Sequence, residues 1–314
     1  MDNMYDVIII GSGPAGLTAA IYTTRASLKT LVIAGEKWGG QLQLTSVVEN
    51  FPGFPEGIQG PELMSNMRKQ AEHHGAEIVD VSFTKGDFSK QPFLVSTNDK
   101  EYQAKAVILA SGADARWLGV IGEEERIGKG VSSCATCDSM FFRNKNVFVV
   151  GGGDSAMEEA LVLAKVASSV TLIHRRDSFR ASDIMQQRVK DHPKITILLN
   201  SQITEIKGEG RVQSAMVKNI QTGSVEEMSA DGIFVAIGHI PNTKVFEGIE
   251  LDNEGYIKIQ DHCHTNIPGV FTAGDVHDRA YRQAITAAGF GAAAALEAER
   301  WLSTEGQEID FKAN

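Results

Sequence analysis

A chain of 314 residues is long enough for two domains of ordinary size, each burying its own core without disulfide or metal staples. Its formal net charge of −10 excludes a general binder of nucleic acid, and three cysteines are too few for a secreted disulfide framework. Met1 to Tyr5 lead straight into an apolar segment, with neither a basic leader nor an apolar run of about 18 residues, so a cytoplasmic protein without membrane insertion is expected.

Val7 to Ile10 is a continuous β-branched run closed by glycine, the pattern of a strand buried on both faces of a parallel sheet. Leu17 to Ala26 reads as the following helix and Thr30 to Ala34 as the next strand, completing a βαβ unit. Pro61, apolar Leu63, Met67 and Ala71, and then Gly75 outline a second helix. Phe93 to Ser96 and Ala106 to Ala110 flank the polar connector Thr97 to Lys100, as in a β-hairpin or meander.

After Ser111-Gly112 the pattern starts over. Strand Val147 to Val150, helix Ala156 to Ala167 and strand Val170 to Ile173 form a second βαβ unit, and Phe234 to Ile237 ends in Gly238 as Leu109 ends near Gly112. Beyond Pro241, Gly269 to Asp275 reads as a strand and turn, followed by an alanine-rich helix from about Arg282 to Leu302. That last section is too short for a third domain and is expected to rejoin the first.

Both βαβ units carry a glycine signature at the strand-to-helix turn. In the first, Gly11-Ser12-Gly13-Pro14-Ala15-Gly16, the glycines allow a tight turn, approach of a pyrophosphate to the backbone, and close helix–strand packing. Glu36, 20 residues after Gly16, stands where a carboxylate accepts from ribose hydroxyls. In the second, Gly151-Gly152-Gly153-Asp154-Ser155-Ala156, the acid is replaced by His174-Arg175-Arg176 with Arg180 beyond. Guanidinium groups bind a 2′-phosphate that a carboxylate would repel, so this site is expected to prefer NADPH to NADH.

Between the two signatures lies Cys134-Ala135-Thr136-Cys137-Asp138. Two thiols at this spacing can close a disulfide, hold half of a zinc site or simply be buried. Zinc needs two further ligands, for which only Cys263 with His262 and His264 offers itself, so no metal is expected and Cys263 reads as an ordinary thiol on a strand. Two nucleotide sites bracketing a dithiol point to an electron relay, with Asp138 placed to exchange the proton that thiol–disulfide chemistry requires.

Taken together these residues resemble the low-molecular-weight thioredoxin reductases, the short flavoprotein branch of the pyridine-nucleotide disulfide oxidoreductases. The resemblance covers essentially the whole chain and includes Gly39-Gly40-Gln41, Glu49-Asn50-Phe51-Pro52-Gly53, Phe179-Arg180-Ala181, Gly274-Asp275 and Arg282-Gln283-Ala284 besides the motifs above. It implies an α/β fold of two Rossmann-like domains. An NADPH domain at about 114–241, carrying the dithiol, would be inserted into an FAD domain formed by 1–113 and 242–314.

It further implies that the FAD contacts lie at Gly11, Ser12, Gly13, Pro14, Ala15, Gly16, Ala34, Gly35, Glu36, Gly39, Gly40, Gln41, Asn50, Gly274, Asp275, Arg282, Gln283 and Ala284. The NADPH contacts would lie at Gly151, Gly153, Asp154, Ser155, Ala156, His174, Arg175, Arg176 and Arg180. By the same resemblance Cys137 is the flavin-proximal sulfur, Cys134 attacks thioredoxin, Asp138 is the acid–base, the inserted domain rotates between half-reactions, and the protein is a homodimer. Ser139 departs from the pattern, which commonly has glycine there. Two other readings remain open: the same chemistry on a glutaredoxin-like carrier, and a flavoprotein moving electrons between NADP and ferredoxin, which needs no dithiol.

Overall fold

The computed structural model describes residues 4–45 and 47–304. The chain divides into two compact units, one formed by residues 1–114 and 240–314 and the other by 115–239. The two crossings between them, Ala113–Ala115 and His239–Pro241, are short strands that pair with each other. Each crossing follows a glycine in the left-handed region, Gly112 at φ +70° and Gly238 at φ +103°.

In the first unit a seven-stranded sheet is built on Met4–Ile10, which pairs in parallel with Thr30–Ile33 on one side and Glu101–Leu109 on the other. Helix α1 (Pro14–Arg25) connects the first two of these strands, starting at Pro14 rather than Leu17 because proline's missing N–H costs nothing in the first turn. Helix α2 spans Gly60–His73. Phe93–Thr97 pairs antiparallel with Glu101–Leu109, as the hairpin reading required, and Phe83–Asp87 adds a further strand.

The apolar run Val7 to Ile10 faces two cores at once. Val7 and Ile9 pack with Ala15, Ala19, Phe271 and the alanines of the C-terminal helix, while Ile8 and Ile10 pack with Phe93, Val95, Val107 and Leu109. Alternate side chains of a strand point to opposite faces, so a strand buried on both sides must be apolar throughout. The C-terminal section joins this same sheet: Val270–Thr272 pairs in parallel with Val107, Ile108 and Leu109.

The second unit repeats the plan with a five-stranded parallel sheet centred on Asn146–Gly151. Three helices belong to it: the single turn α3 (Ala135–Asp138), α4 (Asp154–Ala164) and α5 (Asp183–Lys190). Val147 and Val149 pack against α4, whereas Phe148 and Val150 face Ile203, Ile206 and Val217. Those last residues belong to a three-stranded antiparallel sheet, Ser201–Lys207, Ser214–Asn219 and Val225–Ser229, which the sequence reading did not delineate.

Two local expectations need correction. The last helix, α6 (Ala284–Ser303), starts after Arg282. Asp278 accepts from the backbone N–H groups of Ala280, Tyr281 and Arg282, holding Arg282 at φ +49°, so Gln283 becomes the N-cap. Cys263 is fully buried but lies in a turn preceding an isolated bridge at His264, not on a strand.

Candidate functional site

In the first unit the glycine turn is closed by backbone contacts that leave no room for side chains. A Cβ on Gly16 would stand 2.0 Å from the Gly11 carbonyl oxygen, and one on Gly11, at φ +116°, would stand 2.1 Å from that of Ala110. Gly13, by contrast, has open space where its Cβ would project, and as N-cap of α1 it offers no side-chain cap. The first N–H groups of that helix are therefore left for an incoming anion.

Several predicted residues are tied to this turn or to one another. Ser12 is buried and donates from Oγ to the Ala34 carbonyl at 2.7 Å while accepting from the Gly39 N–H at 2.9 Å, tying three of the expected positions together. Gln41 donates from Nε2 to Asp114 at 2.7 Å. Asn50 donates from Nδ2 to Gln283 Oε1 at 3.2 Å across 233 residues of sequence. Gly274, at φ +79°, and Gly291 bring α6 against the start of α1, since their Cβ atoms would lie 2.8 Å and 2.1 Å from atoms of Ala15. Glu36 is exposed.

Asp275 stands apart electrostatically. Its Oδ1 is buried without a partner among the described residues, and burial, reinforced by Asp278, pushes its carboxyl up to about 7 despite nearby Arg282. A buried acceptor of this kind fits a hydroxyl-bearing ligand, because an unpaired polar atom away from water is costly. Two residues on, His277 packs edge-on to Phe290 and burial pushes its ring down to about 4, so it is neutral at physiological pH.

The second unit has the same entrance. Gly153 caps α4 without a side-chain bond and with open space at its Cβ. The basic loop folds back onto the glycines, because the Gly152 carbonyl accepts from the N–H groups of Arg180 and Ala181 at 2.7 and 3.2 Å. Asp154 clamps the loop further through the N–H and hydroxyl of Ser182. Arg175, Arg176 and Arg180 are exposed on this loop, and so is Ser155.

His174 is different: its ring is buried, bonds the Ser178 carbonyl through Nε2 and packs on Phe179. A Cβ on Gly152 would strike that ring at 2.2 Å, so the histidine shapes the loop on which the arginines stand. Burial lowers its pKa, and the Arg176 and Arg180 charges lower it further.

Cys134 and Cys137 form a disulfide with Cα atoms 5.3 Å apart. Cys134 is the N-cap of α3, and its Sγ accepts from the Cys137 N–H at 3.2 Å. A four-residue helix does not stabilise itself, so side chains from elsewhere must hold it. Two do so. Glu159 of α4 accepts from the Ala135 N–H at 2.5 Å, and Ser132 accepts from the Cys134 N–H at 3.1 Å.

The Ser132 hydroxyl in turn donates to Asp138 Oδ2 at 2.6 Å. Burial pushes the Asp138 carboxyl above its ordinary range, and the Ser132 bond draws it part of the way back. Ser139 follows at φ −55° and ψ −32°, right-handed helical values open to any residue, so this position has no need of glycine. Neither Ser132 nor Glu159 was singled out from sequence.

Cys263 is remote from such chemistry. It is fully buried, and burial with the Glu297 and Asp261 charges pushes its thiol up to about 12. Among the described residues no helix is long and apolar enough to cross a membrane.

Comparison with known proteins places these features in a family. The pyridine nucleotide-disulphide oxidoreductase profile matches residues 5–291. A thioredoxin reductase of Mycolicibacterium smegmatis is 53% identical over 308 residues, covering 96% of this chain and 98% of the relative. One from Streptomyces coelicolor is 49% identical over 98% of this chain and 97% of its own. Among solved structures, thioredoxin reductase from Giardia duodenalis aligns with a TM-score of 0.91 at 45% identity, covering 96% and 99% of the two chains. The enzyme from Streptococcus pyogenes aligns at 0.92 and 41%, covering 97% and 100%. A doubled strand–glycine–helix plan, a disulfide in the second copy and matches of this length lead to one conclusion: the chain belongs to the pyridine nucleotide-disulphide oxidoreductase family, whose members imply a flavin and a pyridine nucleotide.

Proposed function

We propose that the chain is an NADPH-dependent thioredoxin reductase that carries FAD on the unit formed by both chain ends and NADPH on the inserted unit. The observation that carries this reading is the Cys134–Cys137 disulfide, held with Asp138 on a single turn beside the helix of the second glycine motif. The FAD site fits the residues present. Gly13 leaves a cradle that a Cβ would fill, α1 begins without a side-chain cap, and Asp275 presents a buried acceptor. Gly11 to Gly16 would hold the pyrophosphate, with Glu36, Asn50, Asp275, Arg282 and Gln283 around the rest of the cofactor.

When bound, the flavin takes two electrons from the pyridine nucleotide and passes them to a disulfide. The protein's residues do the rest. Arg175, Arg176 and Arg180 hold the 2′-phosphate that distinguishes NADPH from NADH. Reduction breaks the Cys134–Cys137 bond and takes up two protons, one counted with NADPH and one from solvent, to give two thiols. Asp138 shuttles a proton at this dithiol, its buried carboxyl keeping its acid form to higher pH than an exposed one would.

Cys134 as thiolate attacks the thioredoxin disulfide to form a mixed disulfide, and Cys137 displaces it, restoring the Cys134–Cys137 bond and releasing reduced thioredoxin. Rotation at the two crossings and a homodimeric state are taken from the family resemblance, and a cytoplasmic location from the sparse cysteines. The positive-φ glycines at residues 112 and 238 support crossings able to turn.

Anaerobic titration with NADPH and with NADH, followed by addition of thioredoxin and read by flavin absorbance, tests the proposal. Bleaching by NADPH at lower concentration than NADH, reversed by oxidised thioredoxin, is the expected result. Bleaching that thioredoxin leaves unreversed would direct the search to another acceptor.

A further inference from the structure

Asp138 has one side-chain partner among the bonds described above, and that partner also holds the first cysteine. Ser132 is buried, fixed at the end of the strand Val131–Ser132 by pairing with Ile233 and Phe234 of the strand Gly232–Ala236. Its single oxygen accepts from the Cys134 N–H at 3.1 Å and donates to Asp138 Oδ2 at 2.6 Å. The two ends of the dithiol turn are thus joined through one hydroxyl anchored in the sheet.

We propose that Ser132 is the positioning residue of the redox centre, orienting the Asp138 carboxylate on the turn and stabilising its charged form; this rests on the role given to Asp138 above. The geometry assigns the two functions of the hydroxyl separately. As acceptor it pins the backbone where the first sulfur leaves the sheet. As donor it is occupied by the carboxylate, because a hydroxyl has one proton to give.

The surroundings leave few other charges to do this work. The strands Val131–Ser132 and Gly232–Ala236 and the turn Ser139–Phe142 carry no ionisable side chain. On α4 the carboxylate reaching this turn is Glu159, which is engaged by the Ala135 N–H, and Glu158 and Asp154 are exposed. Arg143, beyond the turn, is exposed, and reduction of the disulfide adds the Cys134 and Cys137 thiols to this turn. Burial opposes the charged form of Asp138 and the Ser132 hydroxyl supports it. Removing the hydroxyl leaves only the opposing effect.

The test is the pH dependence of kcat/KM for thioredoxin reduction by the flavin-loaded protein. With Asp138 as the acid, the wild-type rate should decline as pH rises through the ionisation of its carboxyl. Asp138→Asn should lose that decline. Ser132→Ala should move its midpoint upward by about one pH unit, the displacement expected for one lost hydrogen bond to a carboxylate. Ser132→Thr should restore the wild-type midpoint.

Ser132→Val supplies a second comparison should the alanine variant fail to fold, since valine matches threonine in shape, suits a strand and lacks only the hydroxyl. A uniformly lower rate in Ser132→Ala and Ser132→Val with an unmoved midpoint would overturn the proposal while leaving Asp138 as the acid. A decline that persists in Asp138→Asn would overturn the role of Asp138, and the role of Ser132 with it.

Discussion

Replacing Glu159 with alanine probes what holds the dithiol turn together. The Glu159 carboxylate accepts from the Ala135 N–H, and Ala135 is fully buried, so removing that acceptor leaves a buried donor unsatisfied in the folded turn. Hydrogen bonds to a charged group contribute about 1.5–3 kcal/mol, and α3 is one turn long, with no cooperative helix to absorb the loss. At about 1.4 kcal/mol per factor of ten, local opening of the turn should become roughly 10- to 150-fold more frequent. Hydrogen exchange by mass spectrometry on a peptide spanning Val131 to Phe142 reads this directly, because exchange of a bonded amide reports its local opening free energy. Glu159→Gln, which keeps an acceptor but not the charge, should fall between alanine and wild type. Unchanged exchange of that peptide in Glu159→Ala would refute the reasoning, showing that Ser132, the sheet and the disulfide hold the turn without this bond.

Neutralising Arg175, Arg176 and Arg180 together should weaken NADPH binding by about 1.5–3 kcal/mol per lost phosphate contact while leaving NADH nearly unaffected, as measured by equilibrium titration. Gly16→Ala should destabilise the first unit by about 1–3 kcal/mol in denaturant melts, since its Cβ meets the Gly11 carbonyl oxygen at 2.0 Å. Gly13→Ala, whose Cβ meets nothing within 4 Å, should keep the wild-type circular dichroism yet purify with less FAD. Cys263, with its thiol pushed up to about 12, should resist alkylation at pH 8 in the reduced native protein and react only after denaturation. Two alkylated cysteines per native reduced chain, against three after unfolding, is the outcome to be counted.

What could be read in the sequence was what is decided locally. The turns at Gly11 to Gly16 and Gly151 to Ala156 follow from strands that end in glycine, and the structure shows the backbone clashes that forbid anything larger at Gly16 and Gly151. The spacing of Cys134 and Cys137 allowed a disulfide, and one is formed. Contacts between distant segments were out of reach. Glu159 looks in sequence like any acidic residue on the solvated side of a helix, and only the packing of α3 beside α4 makes it a partner of Ala135.

Ser132 likewise reads as a polar residue at a strand end. The bond between Asn50 and Gln283 depends on the C-terminal section returning to the first sheet, which neither local motif specifies. The start of α6 lies two residues beyond Arg282 because Asp278 bonds three successive N–H groups, a turn that competes with the helix for Arg282. The antiparallel sheet from Ser201 to Ser229 is not legible in the sequence because one of its strands, Val225–Ser229, is almost wholly exposed and lacks the apolar alternation that marks a half-buried strand.

The central claim is that electrons reach thioredoxin through the Cys134–Cys137 pair. Thioredoxin-dependent oxidation of NADPH by wild type, Cys134→Ser and Cys137→Ser, each loaded with FAD, measures this most directly. Both variants should lose thioredoxin reduction altogether, because one thiol cannot store two electrons as a dithiol, while NADPH should still bleach their flavin. Sustained thioredoxin reduction by either single-cysteine variant would contradict the account.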